Sequence, residues 1–425
     1  MTRSAITEPG RNDPLVIAAL ALSVFVFAYS TRFGALSILL LYALWFPLAL
    51  LVPGRVVWGL ATVWPVTAFA ALAVLSVFWS DAPGSSLRTG VQLATHVLCA
   101  VIAARVASLR AFALGGLAGT LLVLVWSILF GRYSYDLMDG TYTFVGLFSS
   151  KNQLGFFASL AALFAGFLLH FERRPLWRAG FLLAGALAVL VLVRSASVTS
   201  MIALMAAGGT LLAVLSARHV RASTRLVLLA AGLVGGGALA ALLLEAGAVA
   251  AVLDAFGKDA TLTGRTYLWG EGMEVFAEAP VVGHGYAAFW VQGFAHAERL
   301  WAEFYITART GFHFHNTWVE TLVELGVLGT ALVAWAFAST TLRAVWQAVR
   351  RRTPAAPLSV ALMVLLIARS FSEVDTTAPY TIGSFLLVWT ALAARRPHPA
   401  LPDVARRSAR LAAAPLWTPA REVSA

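Results

Sequence analysis

The sequence predicts an all-α polytopic membrane protein with about twelve transmembrane helices. Composition is the first reason: of 425 residues, 60% are hydrophobic and 12% charged, more apolar side chain than one soluble core can bury. The second is spacing. Apolar runs of about 20 residues, enough helix to cross a ~30 Å hydrocarbon layer, recur between short polar breaks. The third is the division of basic residues between alternate loops.

The spans fall near 14–31, 34–52, 60–79, 88–105, 111–130, 153–170, 177–194, 198–216, 225–243, 317–342, 358–372 and 380–394. The first follows Arg3 and Arg11 like a signal peptide, but Ala28-Tyr29-Ser30-Thr31 is a poor cleavage site and another span follows at once. It reads as a retained helix. An even number of crossings puts both termini on one side. With that side cytoplasmic, most of the 31 Lys and Arg residues lie inside, among them Arg55, Arg105, Arg110, Arg173, Arg174, Arg178, Arg218 and the arginines of the C-terminal tail. The net charge of +11 is then a topology signal with affinity for membrane lipids bearing anionic heads. It is no nucleic-acid footprint, which needs one continuous basic face. Cys99, alone and inside the fourth span, excludes a disulfide and a cysteine metal site.

The chain thus divides into a cytoplasmic N-terminus (1–13), helices one to nine (14–243), a large periplasmic loop (244–316), helices ten to twelve (317–394) and a disordered basic cytoplasmic tail (395–425). Only 131–152 and 244–316 are long loops. Both lie on the outer face, so the work of the protein is expected there. In the second, Thr266 to Ala279 is amphipathic and closed by Pro280 and the turn Gly283-His284-Gly285. Ala287 to Thr307 then carries Phe289, Trp290, Phe294, Leu300, Trp301 and Phe304 among polar residues. Such a segment either packs on the bundle as a lid or covers a lipid-linked substrate at the interface.

Three stretches carry a resemblance: Leu75-Ser76-Val77-Phe78-Trp79-Ser80 followed by Pro83 and Arg88; Gly264-Arg265-Thr266-Tyr267-Leu268-Trp269 leading to Pro280 and Gly283-His284-Gly285; and His313-Phe314-His315-Asn316 running into Glu324-Leu325-Gly326. In order and spacing they resemble the O-antigen ligase and O-antigen polymerase family. Gly146-Leu147-Phe148 with Lys151-Asn152-Gln153-Leu154-Gly155, and Arg369-Ser370-Phe371-Ser372-Glu373-Val374-Asp375, are similar to its exopolysaccharide polymerase branch of the succinoglycan type. One departure is Arg194-Ser195-Ala196-Ser197-Val198-Thr199: many relatives place a basic residue after a Ser, and here that place falls on Val198.

The resemblance implies a GT-C-type glycosyltransferase of the inner membrane. Such an enzyme moves glycan from undecaprenyl diphosphate to an acceptor hydroxyl, on a glycan or on lipid A core, without metal or cofactor. Charge grows on the diphosphate as it leaves, so fixed cations at the outer face would stabilise the transition state, and the planar fork of Arg suits phosphate oxygens. Arg265 is the first candidate, then Arg88, Arg369 and Lys151. The competing reading is that each snorkels to lipid phosphate or pairs with Asp81, Glu373 or Asp375. An imidazole, titrating near ~6.5, can take the acceptor proton, and His315 before the tenth span is the candidate base. His313, Asn316 and Glu324 support it, while Asn316, Glu320 and Glu324 also suit the start of a helix. His284 and His296 read as structural.

Walker-type loops, dinucleotide fingerprints, zinc-protease motifs and nucleophile elbows are absent from the sequence. Acidic pairs such as Asp254 and Asp259 read as solvated. The rival from another class is a secondary transporter or flippase, which would show repeated halves and midplane breaks; here the long loop divides the helices nine to three. Ligase and polymerase share the donor chemistry, and the Ser-Lys-Asn-Gln and Arg-Ser-Phe-x-Glu-Val-Asp stretches tilt toward polymerase.

Overall fold

A computed structural model describes residues 6–136, 140–229, 232 and 264–395. Most of the ninth expected span, the loop up to residue 263 with Lys258, Asp254 and Asp259, and the tail from 396 lie outside the described residues.

Helices dominate. They are α1 (Asp13–Phe33), α2 (Ala35–Leu51), α3 (Pro53–Thr62), α4 (Trp64–Leu75), α5 (Pro83–Val106), α6 (Leu109–Phe130), α7 (Lys151–Phe171), α8 (Pro175–Ser195) and α9 (Val198–Ala217). Beyond the undescribed stretch come α10 (Arg265–Glu278), α11 (Ala295–Glu303), α12 (Thr317–Trp346), α13 (Ala356–Ser370) and α14 (Ile382–Ala393). Among the described residues, seven segments are long and apolar enough to cross a membrane, or eight if α2 and α3, bent by 107° at Pro53, are one broken span. The chain is a multi-pass membrane protein. The expected spans at 60–79, 358–372 and 380–394 hold helices of 12, 15 and 12 residues. At 1.5 Å per residue these are about 18–23 Å long, less than the hydrocarbon thickness. Buried within the protein, α13 and α14 have no need to match it.

The sequence reading missed a β-hairpin in the first long loop, β1 (Arg132–Asp136) paired antiparallel with β2 (Thr141–Gly146). Tyr133 sits opposite Phe144 and Tyr135 opposite Tyr142, so one face is aromatic while Ser134 and Thr143 share the other.

Arginines gather at the opposite end of the bundle and donate to main-chain carbonyls: Arg55 to Thr7 at 3.1 Å, Arg178 to Glu172 at 2.9 Å, Arg225 to Ala348 and Arg352 to Val220 at 2.6 Å each. A helix C-terminus leaves four carbonyls unpaired, and these guanidiniums satisfy them where lipid cannot.

At the site end, α12 breaks. Gly326 takes φ +59°, and four hydrogen bonds cross the gap: His284 N donates to Val323 O at 3.0 Å, Gly285 N to Glu324 O at 2.9 Å, Val327 N to Pro280 O at 2.9 Å and Leu328 N to Val281 O at 3.2 Å. The turn Gly283-His284-Gly285 plugs the broken helix. His284 also bridges Asp81 Oδ2 (2.7 Å) and Val275 O (3.0 Å), and Trp79 Nε1 donates to Val282 O at 3.0 Å. Three of the sequence motifs are therefore one mechanical joint. The aromatics of 287–307 turn inward, building a second small core with Leu268, Val275, Phe314 and Val323. The segment thus packs on α12 through Val319 and Val323.

A Cβ at Gly326 would run into the Val281 carbonyl and at Gly283 into the Glu324 carbonyl, both at positive φ. Gly326→Val should therefore lower stability by about 2 kcal/mol or more. Gly180→Ala, where a Cβ meets nothing within 4 Å, should not. Thermal unfolding of the detergent-solubilised pair measures this.

Candidate active site

Three helix N-termini point at one cavity of about 410 Å³. The first is that of α7, capped by Ser150, whose Oγ accepts from Asn152 N at 3.1 Å. The second belongs to α10, which starts on Arg265 after Gly264 at φ +80°. The third belongs to α12, where Asn316 Oδ1 accepts from Trp318 N (2.9 Å) and Val319 N (3.3 Å). Each carries about half a positive charge in its first turn, so together they favour an anion between them.

Lys151, Asn152, Arg265, His313, His315 and Glu373 line the cavity together with the aromatic rings of Tyr135, Phe304, Tyr305 and Phe312, the last of which meets the His315 ring edge-on at 5.6 Å. Lys151 Nζ donates to Thr141 Oγ1 on the hairpin at 3.0 Å. Arg265 Nη2 stands 3.4 Å from Glu373 Oε1. His315 sits at φ +53°, in the left-handed region, and its main-chain N–H donates to His313 Nδ1 at 3.0 Å. Its own Nδ1 faces Glu373 Oε2 at 3.7 Å. Glu320 fixes this turn from below, its Oε2 accepting from Phe314 N at 2.7 Å.

Glu373 is the residue the sequence reading gave no role in the site beyond pairing with an arginine. Only 3% exposed, it is fixed by Asn152 Nδ2 at 2.7 Å, and Ser197 Oγ holds Asn152 Oδ1 at 2.8 Å. Burial alone would raise its carboxyl, but the His315 imidazole facing it and the nearby Arg369 guanidinium outweigh burial and hold the group well below the ordinary range. Burial, with His315 beside it, pushes the His313 imidazole down to about 3, so His313 stays neutral. Its sequence signal was the Glu in Ser-Phe-Ser-Glu-Val-Asp after an apolar run; Ser197 and Ser200 gave none beyond standing near a helix start.

Arg369 lies behind the cavity lining and is 1% exposed. Its Nε donates to Asp375 Oδ2 at 2.5 Å and Nη1 to Ser200 Oγ at 3.0 Å, while its guanidinium stacks 4.0 Å over Phe156. Its carbonyl accepts from Glu373 N at 2.8 Å, so it sets the turn that presents Glu373. Arg265 and Arg369 thus meet the acidic partners weighed for them. Arg88 is exposed on the first turns of α5 and is not among the lining residues, nor is Arg194, which is exposed at the end of α8. Glu324 belongs to the α12 joint and Asn316 is a helix cap.

His313, His315 and Glu373 also bring one ligand atom each within 4.8 Å of one another. They fit a resident cation poorly, because Arg265 already places a full positive charge 3.4 Å from the only carboxylate of the three, and a second cation there would be repelled.

Fold and cavity define a class: a multi-pass helical membrane protein with a cluster of ionisable side chains, Lys151, Arg265, His313, His315 and Glu373, around one cavity. The family described as O-Antigen ligase matches residues 183–334, a stretch that contains Arg265 and His315. Over 393 residues, 92% of this chain and 90% of the relative, the sequence is 45% identical to the exopolysaccharide production protein ExoQ of Rhizobium meliloti (strain 1021). The chain belongs to the O-antigen ligase and polymerase family, whose members are polymerase- or ligase-type membrane enzymes.

Replacing the buried Arg369 by Leu leaves the half-buried Asp375 carboxylate without its cation and Ser200 Oγ without its donor. The expected cost is about 3–5 kcal/mol, read as a fall in thermal midpoint and in membrane abundance.

Proposed function

We propose that the protein is an inner-membrane glycosyltransferase whose cavity faces the periplasm and whose arginine-rich end faces the cytoplasm. It transfers glycan from an undecaprenyl-diphosphate-linked donor to the hydroxyl of a growing glycan, as an exopolysaccharide polymerase. The observation that carries this reading is the convergence of Arg265, Lys151 and three helix N-termini on one cavity, with His315 in its wall.

Arg265 and Lys151 hold the diphosphate and stabilise the charge that grows on it. His315 takes the proton of the attacking hydroxyl. Arg369 acts from behind through Ser200 and the Glu373 turn, and the exposed Arg88 serves as a contact for lipid phosphate. The aromatic rings in the lining, Tyr135, Tyr305 and Phe312, offer flat faces for sugar rings. The similarity to an exopolysaccharide production protein over nine-tenths of both chains favours polymerase over ligase. The chain organisation into helices 14–243, loop 244–316, helices 317–394 and a cytoplasmic tail belongs to the same proposal.

A strain lacking the gene should accumulate single repeat units on the lipid carrier, seen when carrier-linked, secreted and lipopolysaccharide glycans are separated by gel and mass spectrometry. Long polymer on the carrier beside bare lipid A core would instead assign a ligase. No change in any pool would leave glycan movement without covalent transfer, the transporter or flippase reading. In the purified enzyme, Arg265→Ala should abolish transfer at unchanged membrane abundance. His315→Gln should lose turnover while retaining donor binding; loss of donor binding would move His315 from base to phosphate ligand.

A further inference from the structure

The anion-favouring cavity contains a carboxylate that binding of a diphosphate does not require. Among the described residues that line it, Glu373 is the one acidic residue. Both ends of this residue are fixed: its N–H donates to Arg369 O, its C=O accepts from Thr317 Oγ1 at 2.7 Å, and Asn152 Nδ2 holds Oε1 at 2.7 Å. Its contacts to the two reactive groups are looser. Arg265 Nη2 is 3.4 Å from Oε1 and His315 Nδ1 is 3.7 Å from Oε2. That imidazole nitrogen is buried and has no hydrogen-bond partner among the described residues.

We propose that Glu373 is a positioning residue that holds Arg265 while the cavity is empty and, once a donor diphosphate takes Arg265, turns its charge to His315 Nδ1. Donor binding thereby switches on the base. The inference rests on the reading of Arg265 and His315 given above and adds the coupling between them.

The chemistry closes. The acceptor oxygen bonds to the anomeric carbon, the carbon–oxygen bond to the diphosphate breaks with its electron pair leaving on phosphate, and the hydroxyl proton passes to His315 Nε2. The imidazolium formed has Nδ1–H facing Glu373 Oε2. Without a diphosphate, Oε1 and Oε2 are shared between one full cation and a neutral ring, and the cation dominates. Diphosphate carries more negative charge than a carboxylate and matches the guanidinium fork, so Arg265 changes partner. The other charged or titratable groups facing the pair are Lys151 from α7, Arg369 from α13, Asp375 and His313. Asp375 is spent on Arg369, and His313 Nδ1 on the His315 N–H. Among the described residues, no second carboxylate is left to stabilise the imidazolium.

The test compares full-length wild type, Glu373→Gln and Glu373→Asp in liposomes. Turnover is followed against pH with carrier-linked repeat units extracted from the deletion strain, and binding with undecaprenyl diphosphate alone. Glu373→Gln should cut kcat by about 100-fold or more while undecaprenyl diphosphate binds as tightly or tighter, because Arg265 is released. The acidic limb of its kcat profile should move to lower pH by about one unit, since the imidazolium has lost its counter-charge. Glu373→Asp should restore part of kcat and return the limb toward wild type. A Glu373→Gln enzyme with weakened undecaprenyl diphosphate binding, or with reduced kcat and an unmoved limb, overturns the coupling. Should that variant fail to accumulate, Glu373→Asp is read alone: tighter undecaprenyl diphosphate binding with reduced kcat supports the handover, and unchanged values overturn it. Full transfer by Arg265→Ala and His315→Gln would instead remove the underlying reading, an outcome that the Glu373 profile does not imitate.

Discussion

Inside a bilayer a backbone polar group has no water to turn to, and leaving one unpaired costs several kcal/mol. The break of α12 at Gly326 depends on this constraint being met. Breaking the helix releases the carbonyls of Val323 and Glu324 and the N–H groups of Val327 and Leu328, and the segment 280–285 returns a partner to each. The repair fixes α10, which precedes that segment, and through Trp269 Nε1 to Phe314 O (2.8 Å) it fixes the turn that carries His315. Cavity geometry is thus set by a hydrogen-bond balance, one wall at a time.

The motifs that carried the family resemblance fall into two physical kinds. Trp79-Ser80, Gly283-His284-Gly285 and Glu324-Leu325-Gly326 form the joint: glycines where no Cβ fits, a histidine bridging two acceptors, and an indole donating to a carbonyl. Gly264-Arg265, Lys151-Asn152, His313-Phe314-His315 and Arg369 to Asp375 form or back the cavity. From sequence alone the two kinds look equal. Residue type separates them only in hindsight, because His284 and His315 are the same side chain with different partners.

Legibility followed periodicity and charge. Long apolar runs such as Lys151–Phe171 and Leu109–Phe130 were readable within two residues, since a hydrocarbon slab imposes one length on any helix that must cross it alone. Ile382–Ala393 was read as closely, although it is too short to cross alone, whereas Trp64–Leu75 was read four residues long at each end. The β-hairpin went unseen: Arg132 to Asp136 is short and its alternating tyrosines read equally well as interfacial loop. At the site, Arg265, His315 and Lys151 were legible as costly charges near span ends, and Arg88 obeyed the same rule without reaching the cavity. Glu373 was legible only as a counter-ion, because its importance comes from Asn152 and Ser197, which are 221 and 176 residues away in the chain.

The cavity also has to be stable without its substrate. Lys151 and Arg265 together with three helix N-termini would repel one another if nothing negative stood among them. Glu373 supplies that charge, so a ligand enters by exchange: it must offer Arg265 more than a carboxylate already does. An ordinary phospholipid phosphate carries a single negative charge, no more than Glu373 itself, and gains little by displacing it. A diphosphate carries more charge on oxygens spaced for a guanidinium fork and for a second cation such as Lys151. On the proposed reading of the cavity, a resident carboxylate would set a threshold, favouring multiply charged headgroups over the singly charged lipids that surround the protein.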